Sequence, residues 1–437
     1  MRGNSWARYL GFNTFGESHG KAIGIVIEDV RPNIEFPFDE IRQELARRRP
    51  GKGKFSSSRD EKDELVVISG VFEGKTTGMP ICLLVYNNDA TPKDYEAIKD
   101  VFRPGHADNA WFKKFKIYDY RGGGRASGRE TISRVIASGL VNHLIEPIQI
   151  ICYPVRIGVI EAVEIDESFV KENELSWPCR STYQQLDEYL ERVKKEGDSV
   201  GGIVQVYIRN VRAGLGDPVF EKLDGNIAKA LISIGGVKGI EFGDGFKLGG
   251  MLGSQANDEV LANGEKDRIT KAGGIFGGVT SGDAISLRFV VKPTPSISIP
   301  QNTINKDNQP VKLELKGRFD TCLVQRIIPV VEAMIKLVLS DAVAYQKLIE
   351  GEEVGLDDLR EAIDKIDEEI LICIARRKRI VSKIGKIKKD LQLPIRQADR
   401  ERELLDRLKK IGDELSLSEE LIRSIWSSIL EDSRKMQ

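Results

Sequence analysis

Histidine is scarce in this chain: His19, His106 and His143 are the only three in 437 residues. Imidazole is the side chain whose ordinary pKa lies nearest neutrality, so three positions carry all the histidine proton chemistry on offer. A charge excess is also missing. With 66 basic and 67 acidic residues the formal net charge is −1, which gives no whole-chain field to gather nucleic acid or an acidic membrane. The five cysteines are odd in number and hold no Cys-x-x-Cys pair, so neither a disulfide framework nor a zinc site, nor any other metal centre, is indicated. No apolar run approaches the roughly 18 residues of a membrane span, and the opening MRGNSWARYL lacks the apolar core of a signal peptide. A soluble, cytoplasmic protein without nucleic-acid or membrane partners is the expectation.

Composition breaks sharply near residue 350. Only four of the 42 glycines and one of the 16 prolines lie beyond it, while charged residues rise from about 27% to about 45%. Before the break, short β-branched runs at 22–27, 65–68 and 202–208 read as strands, and 39–48, 131–144 and 324–348 read as helices. An α+β domain over residues 1–350, a linker at 351–355 and an all-helical domain over 356–437 are expected.

Two histidines sit in dense motifs, Gly16-Glu17-Ser18-His19-Gly20 and Arg103-Pro104-Gly105-His106-Ala107-Asp108, whereas His143 lies in an apolar helical stretch and reads as a structural side chain. The stretch from Arg121 to Thr131 places four glycines and the guanidiniums of Arg121, Arg125 and Arg129 just ahead of a helix. Free backbone N–H groups, a helix N-terminus and guanidiniums together suit a phosphate. No Gly-Lys-Ser/Thr closes the loop, so it is not a Walker A motif. Further cations cluster from Arg47 to Lys54, and Arg318 stands two residues from Asp320 directly before a helix. These features describe an enzyme that handles phosphorylated, multiply anionic ligands; they leave the reaction open.

Those motifs, with Gly317-Arg-Phe-Asp-Thr-Cys322, resemble chorismate synthase in the family's own order over roughly residues 3 to 348. The resemblance implies a β-α-β sandwich and a homotetramer. The implied reaction is a 1,4-anti elimination of phosphate from 5-enolpyruvylshikimate 3-phosphate, dependent on reduced FMN, with NADPH as a possible flavin reductant. It implies that His106 assists the departing phosphate, that His19 holds or protonates the reduced flavin near N1, and that Asp320 works with flavin N5 to take the C6 proton. Flavin contacts would fall on Arg125, Ala126, Ser127, Gly235, Gly236, Gly277, Lys292, Pro293, Thr294, Pro295, Ser296 and Arg318. Arg48, Lys54 and Arg129 stand where NADP or substrate is contacted. The family's Arg-His-Asp-Pro is here Arg318-Phe319-Asp320-Thr321, and Lys54 replaces a common arginine.

In the tail, Leu359, Ile363, Ile366, Ile370, Ile380, Ile384, Ile387 and Leu391 recur at spacings of three and four where they cluster, predicting a helix of about 35 residues and about 50 Å. Two further helices are expected, from Gln397 to Ile411 and after a Ser416-x-x-Glu419 capping box. So long an apolar seam in so small a domain points to a helical dimer. Arg377 and Lys388 fall on the seam side, where a buried cation needs an anion. The tail resembles the all-helical chorismate mutases in Leu359-Arg360, Arg377, Lys388, Asp399-Arg-Glu-Arg402 and Glu431-Asp-Ser433. The resemblance implies an intertwined dimer. In it Arg377 and the other chain's Arg360 bind the two carboxylates of chorismate, Lys388 and Gln437 reach the ether oxygen, and Arg400, Glu401 and Ser433 complete the site. The implied reaction is the Claisen rearrangement to prephenate. A non-catalytic tail that senses such ligands or drives assembly is the alternative reading.

Overall fold

The computed structural model describes residues 3–6, 11–28, 30–49, 54–55, 62–88, 92–261, 267–315, 317, 319–350, 356–391, 394, 398–414 and 417–435. It divides into two compact units, Met1–Glu350 and Gly351–Gln437.

The first unit holds two five-stranded antiparallel sheets. One runs in the order Ser5–Trp6, Phe12–Gly16, Ala22–Ile27, Ile81–Tyr86, Val66–Ser69. The other runs Val237–Phe242, Ile285–Val291, Gly202–Arg209, Gln149–Ile157, Ile160–Glu161. Period-two patterning sets which face each strand buries. In Gly202–Arg209 the buried positions are Gly202, Val204, Val206 and Ile208, strictly alternating, and Val206 stands opposite Leu287 in the register. In the first sheet Ile23, Ile25 and Ile27 face inward, with Ile25 opposite Leu83.

Helices separate the sheets. Thr131–Leu140 packs on Ala22–Ile27 and on Val324–Glu350, and the latter packs on Gln149–Ile157 of the second sheet. Nine of the ten residues of Thr131–Leu140 are buried, as a helix covered on all sides must be apolar or internally satisfied. Its two serines comply: Ser133 Oγ donates to the Glu130 carbonyl at 2.6 Å and Ser138 Oγ to the Val135 carbonyl at 2.8 Å. This buried helix anchors the glycine-rich loop that precedes it.

The expected helix over 131–144 stops earlier, at Leu140, and resumes as a 3₁₀ turn at Asn142–Leu144. His143, read as a structural side chain, is exposed in that 3₁₀ turn.

The second unit consists of Leu356–Asp390, Ala398–Glu414 and Glu419–Lys435. The last helix is capped by Ser418, whose Oγ accepts from Leu421 N at 3.2 Å; Ser416, the expected cap, lies outside the described residues, as does the linker at 351–355. Val381 and Ile422 are its buried apolar side chains among the described residues. Much of the seam of the long helix is open instead: Ile366 is 58% exposed, Ile380 60% and Ile387 56%.

Gly139 lies against the helix Phe38–Arg48, where an added Cβ would come 2.5 Å from Ile41 Cγ1. Gly139→Val should therefore overpack the layer between the sheets and cost about 1–3 kcal/mol, read as a lowered midpoint in urea denaturation of the whole chain.

Candidate active site

The glycine-rich loop is built from consecutive left-handed residues, Gly122, Gly123 and Gly124 at φ +61°, +87° and +53°, a backbone that side chains with a Cβ resist. At Gly122 the missing side chain has a specific use. A Cβ there would stand 2.3 Å from both Cε1 and Nδ1 of His19, so the imidazole rests directly on bare backbone. Ser18 Oγ lies 3.0 Å from His19 Nδ1, and Tyr95 meets the ring edge-on at 4.9 Å between centroids. The His19 turn is tied down by Asn87, whose Nδ2 donates to the Glu17 and Gly20 carbonyls at 3.0 Å each.

Next to Gly123 comes the second motif. Arg103 Nη2 lies 3.3 Å from where a Gly123 Cβ would be, and this guanidinium is held in a buried two-pronged pair with Asp108, at 2.8 and 2.9 Å. His106 Nδ1 donates to the Pro104 carbonyl at 3.0 Å, since a carbonyl only accepts, and the Nε2 of the neutral ring therefore accepts from Ser296 Oγ at 3.1 Å. Burial, then the Arg103 charge and more weakly Lys292, drive the His106 pKa down to about 4, against the opposing Pro104 carbonyl and Asp108. The ring is thus neutral at pH 7.

The segment 292–296 closes this side. Lys292 Nζ donates to the Gly105 carbonyl at 2.6 Å, Pro295 packs on Gly105, and Lys292 N donates to the Gly236 carbonyl at 2.9 Å. Burial, followed by the charge of Lys238, lowers the Lys292 pKa. Gly235 faces the Ala126 carbonyl, 4.0 Å from its missing Cβ. Thr294 Oγ1 is buried with no hydrogen-bond partner among the described residues. Arg125 donates to the Gly16 carbonyl at 3.2 Å and to Thr14 Oγ1 at 2.6 Å.

Arg48 and Arg129 form a second cationic group. Arg48 reaches Thr131 Oγ1 at 3.1 Å and the Gly128 carbonyl at 2.9 Å, while Arg129 reaches Asn87 Oδ1 at 3.0 Å. Both guanidiniums border Asp63, whose carboxylate is wholly enclosed. Asp320 is ion-paired to Arg326 at 2.6 Å. It is placed by its neighbour Thr321, which is hydrogen-bonded to Phe55 and Val200.

In the second unit Arg377 Nη1 donates to Ser433 Oγ, joining the long helix to the last one. Glu401 receives two hydrogen bonds from Arg434, at 2.9 and 2.6 Å. Arg377, Glu401 and Lys388 are half-buried, and Ser433 is buried. Arg400 points outward to Glu403.

Residues 10–344 match the chorismate synthase family and residues 359–437 match chorismate mutase type II. The chorismate synthase of Methanocaldococcus jannaschii is 44% identical over 361 residues, covering 77% of this chain and 95% of that protein. That of Syntrophus aciditrophicus is 43% identical over 355 residues, covering 80% and 99%. A chorismate synthase crystal structure superposes with a TM-score of 0.61 at 29% identity, covering 84% of this chain and 98% of that one.

The chain belongs to the chorismate synthase family. A chorismate mutase type II domain follows in the same polypeptide, so this is a bifunctional enzyme of the shikimate pathway.

The synthase domain brings together His19, His106, Arg125, Ala126, Gly235, Gly236 and residues 292–296 through the contacts above. Gly277 lies in the turn between Ile275–Phe276 and Val279–Thr280, and nothing among the described residues comes within 4 Å of its missing Cβ. Lys54 turns to the helix Arg180–Lys195 and pairs with Asp187 at 2.8 Å and Glu191 at 2.9 Å, two carboxylates that engage the charge expected to face an anion. Arg318, Gln397 and Gln437 lie outside the described residues, as does the side chain of Arg360. Sequence reasoning passed over Arg103, which sits inside a motif already singled out, and Arg326, six residues after Asp320. It also passed over Asp63 and Asn87, which carry no local signal.

Because the folded-state pKa of His106 lies below the ordinary 6.5, its contribution to stability is complete above 6.5 and is lost as pH falls toward 4. NMR of histidine-labelled chain should show one ring that stays neutral at pH 5.5 in buffer and disappears as a signal in His106→Gln. Added inorganic phosphate should raise that ring's pKa, because an adjacent anion favours the imidazolium.

Proposed function

We propose that the first domain releases phosphate from 5-enolpyruvylshikimate 3-phosphate to give chorismate with reduced FMN as cofactor, and that the second converts chorismate to prephenate. The observation that carries the first half is the juxtaposition of a neutral, half-buried imidazole at His106 with Arg103 and Lys292. A departing phosphate needs cations and a proton donor, and a bound phosphate dianion is what would charge this ring. Nε2 is the atom that carries that proton, released from Ser296 when the anion arrives.

The residues present fit a flavin. Gly235 leaves bare backbone facing the Ala126 carbonyl, Gly236 beside it takes the left-handed conformation at φ +100° that glycine adopts freely, and Thr294 Oγ1 offers a buried hydroxyl without a partner among the described residues. Arg125, Ala126, Ser127, Gly235, Gly236 and Lys292 to Ser296 would hold the group, with Arg318 and Gly277 as further contacts. When bound, reduced FMN supplies electron density to a ring that loses an allylic phosphate, without net oxidation. His19, wedged on Gly122, keeps a titratable nitrogen at that face. Asp320, oriented by Arg326, accepts the C6 proton, and Arg48 and Arg129 neutralise the phosphate. NADPH serves as reductant where the chain reduces its own flavin.

In the mutase domain the reaction needs no nucleophile, only a pocket that holds the compact conformer of chorismate and stabilises charge on the parting ether oxygen. Arg377 and Lys388 supply that charge, with Ser433 and Glu401 as polar walls and Arg400, Arg360 and Gln437 completing the set. The open seam of the long helix supports dimerisation of this domain within a homotetramer, since exposed isoleucines at this density are stable when covered by a second copy. With no helix among the described residues long and apolar enough to cross a membrane, a cytoplasmic site of action is the consistent one.

The test is anaerobic incubation of the whole chain with reduced FMN and 5-enolpyruvylshikimate 3-phosphate, followed by NMR. Phosphate together with prephenate is expected. Accumulating chorismate would make the tail a sensor or an assembly module, and no phosphate would overturn the synthase reading. His106→Ala should slow phosphate release by about 10²–10⁴-fold, whereas Arg377→Ala should abolish prephenate and leave phosphate release unchanged.

A further inference from the structure

The two guanidiniums of Arg48 and Arg129 are 4% and 9% exposed as residues and share one enclosed carboxylate. Arg129 Nη1 donates to Asp63 Oδ1 at 2.7 Å, and Arg48 Nη1 lies 3.8 Å from Asp63 Oδ2. Two cations brought this close in a medium of low dielectric repel strongly, so an anion between them offsets the repulsion and sets their separation, while hydrogen bonds to Thr131 Oγ1 and the Gly128 carbonyl aim Arg48. The other end of Arg129 is held as firmly. Its Nε donates to Asn87 Oδ1 at 3.0 Å, and the same amide donates through Nδ2 to the carbonyls of Glu17 and Gly20, which bracket Ser18 and His19. One unbroken chain of hydrogen bonds and ion pairs thus runs from Arg48 through Asp63, Arg129 and Asn87 to the His19 turn.

We infer that Asp63 and Asn87 are positioning residues of the synthase reaction: Asp63 locks Arg48 and Arg129 into one fork for the substrate phosphate, and Asn87 sets that fork in register with His19. The inference rests on the reading of Arg48 and Arg129 as phosphate ligands. Neither residue touches substrate in this role. Asp63 lowers the charge of the fork from two to one, so it weakens simple attraction for an anion and improves geometry instead. That trade has a kinetic signature. A misplaced but still cationic fork continues to bind a small symmetrical anion, yet no longer meets the leaving phosphate at the angle the elimination requires.

The experiment uses the whole chain under anaerobic conditions with reduced FMN. Asp63→Asn is expected to lower kcat by at least about tenfold while inorganic phosphate inhibits at an equal or lower concentration. Asp63→Glu, which keeps the charge, should recover part of kcat with a melting temperature near that of the parent chain, so the conclusion does not hang on a variant that folds poorly. Asn87→Ala combined with Arg129→Lys should cost less than the two single changes added together, since both cut the same connection. A melting temperature lowered by Asp63→Asn with kcat held within about twofold would overturn the inference and leave Asp63 as a purely structural residue. If Arg129→Lys leaves kcat/KM unchanged, the phosphate reading of the arginines is the part that fails. If Arg129→Lys is impaired and both Asp63 variants match the parent chain, only the positioning role fails.

Discussion

Three successive left-handed glycines set the terms for the synthase domain. With no Cβ at Gly122 the ring of His19 sits on main chain, and with none at Gly123 the guanidinium of Arg103 passes the loop at van der Waals distance. The loop uses a conformation that glycine adopts without strain, and it is anchored by the helix that follows, which is buried on nearly every side between two sheets. A rigid core element therefore fixes a loop that residues with a side chain resist building, and the loop in turn seats the ring of His19 and the guanidinium of Arg103.

Gathering cations inside a folded domain opposes folding, and the structure offsets that cost with individually placed anions. Arg103 has Asp108, Arg121 has Asp119, Arg48 and Arg129 share Asp63, and Arg326 has Asp320. Burial works against ionisation of Asp119, yet the hydrogen bonds from Arg121 outweigh it and hold its pKa below the ordinary value. Each pair is close to break-even as a source of stability. Their value lies in pre-arranged charge, which does not have to reorganise when a phosphate leaves. His106 is the exception that fits the pattern: burial first and the charge of Arg103 second keep it neutral, and an incoming anion would oppose both.

The second domain follows a different economy. Its three helices bury few apolar side chains among the described residues, and much of the long seam is exposed in the single chain. What joins the helices near the candidate site is polar: Arg377 to Ser433 and Arg434 to Glu401. The last turn of the final helix thus supplies partners to both other helices. A reaction that requires only conformational restraint and a little positive charge is compatible with so plain a scaffold.

The break near residue 350, the strands at 22–27 and 202–208 and the 35-residue helix were legible because each depends on local periodicity, and local periodicity is written in the chain. The motifs around His19, His106 and the glycine turn stood out for a related reason, scarce chemistry packed into short stretches, and the structure places these stretches near one another. The sequence could not show that Thr131–Leu140 would stop before His143, that Ser418 would cap the last helix, or that Lys54 would spend its charge on Asp187 and Glu191. Nor could it bring Asp63 and Asn87, plain residues 66 and 42 positions from Arg129, to the same guanidinium. Those outcomes depend on which distant side chain arrives first within hydrogen-bond reach, and only the packing of two sheets around a buried helix layer decides that. The residue types and their spacing determined the chemistry available to this protein; the tertiary structure decided which charges meet, because that depends on packing between residues far apart in the chain.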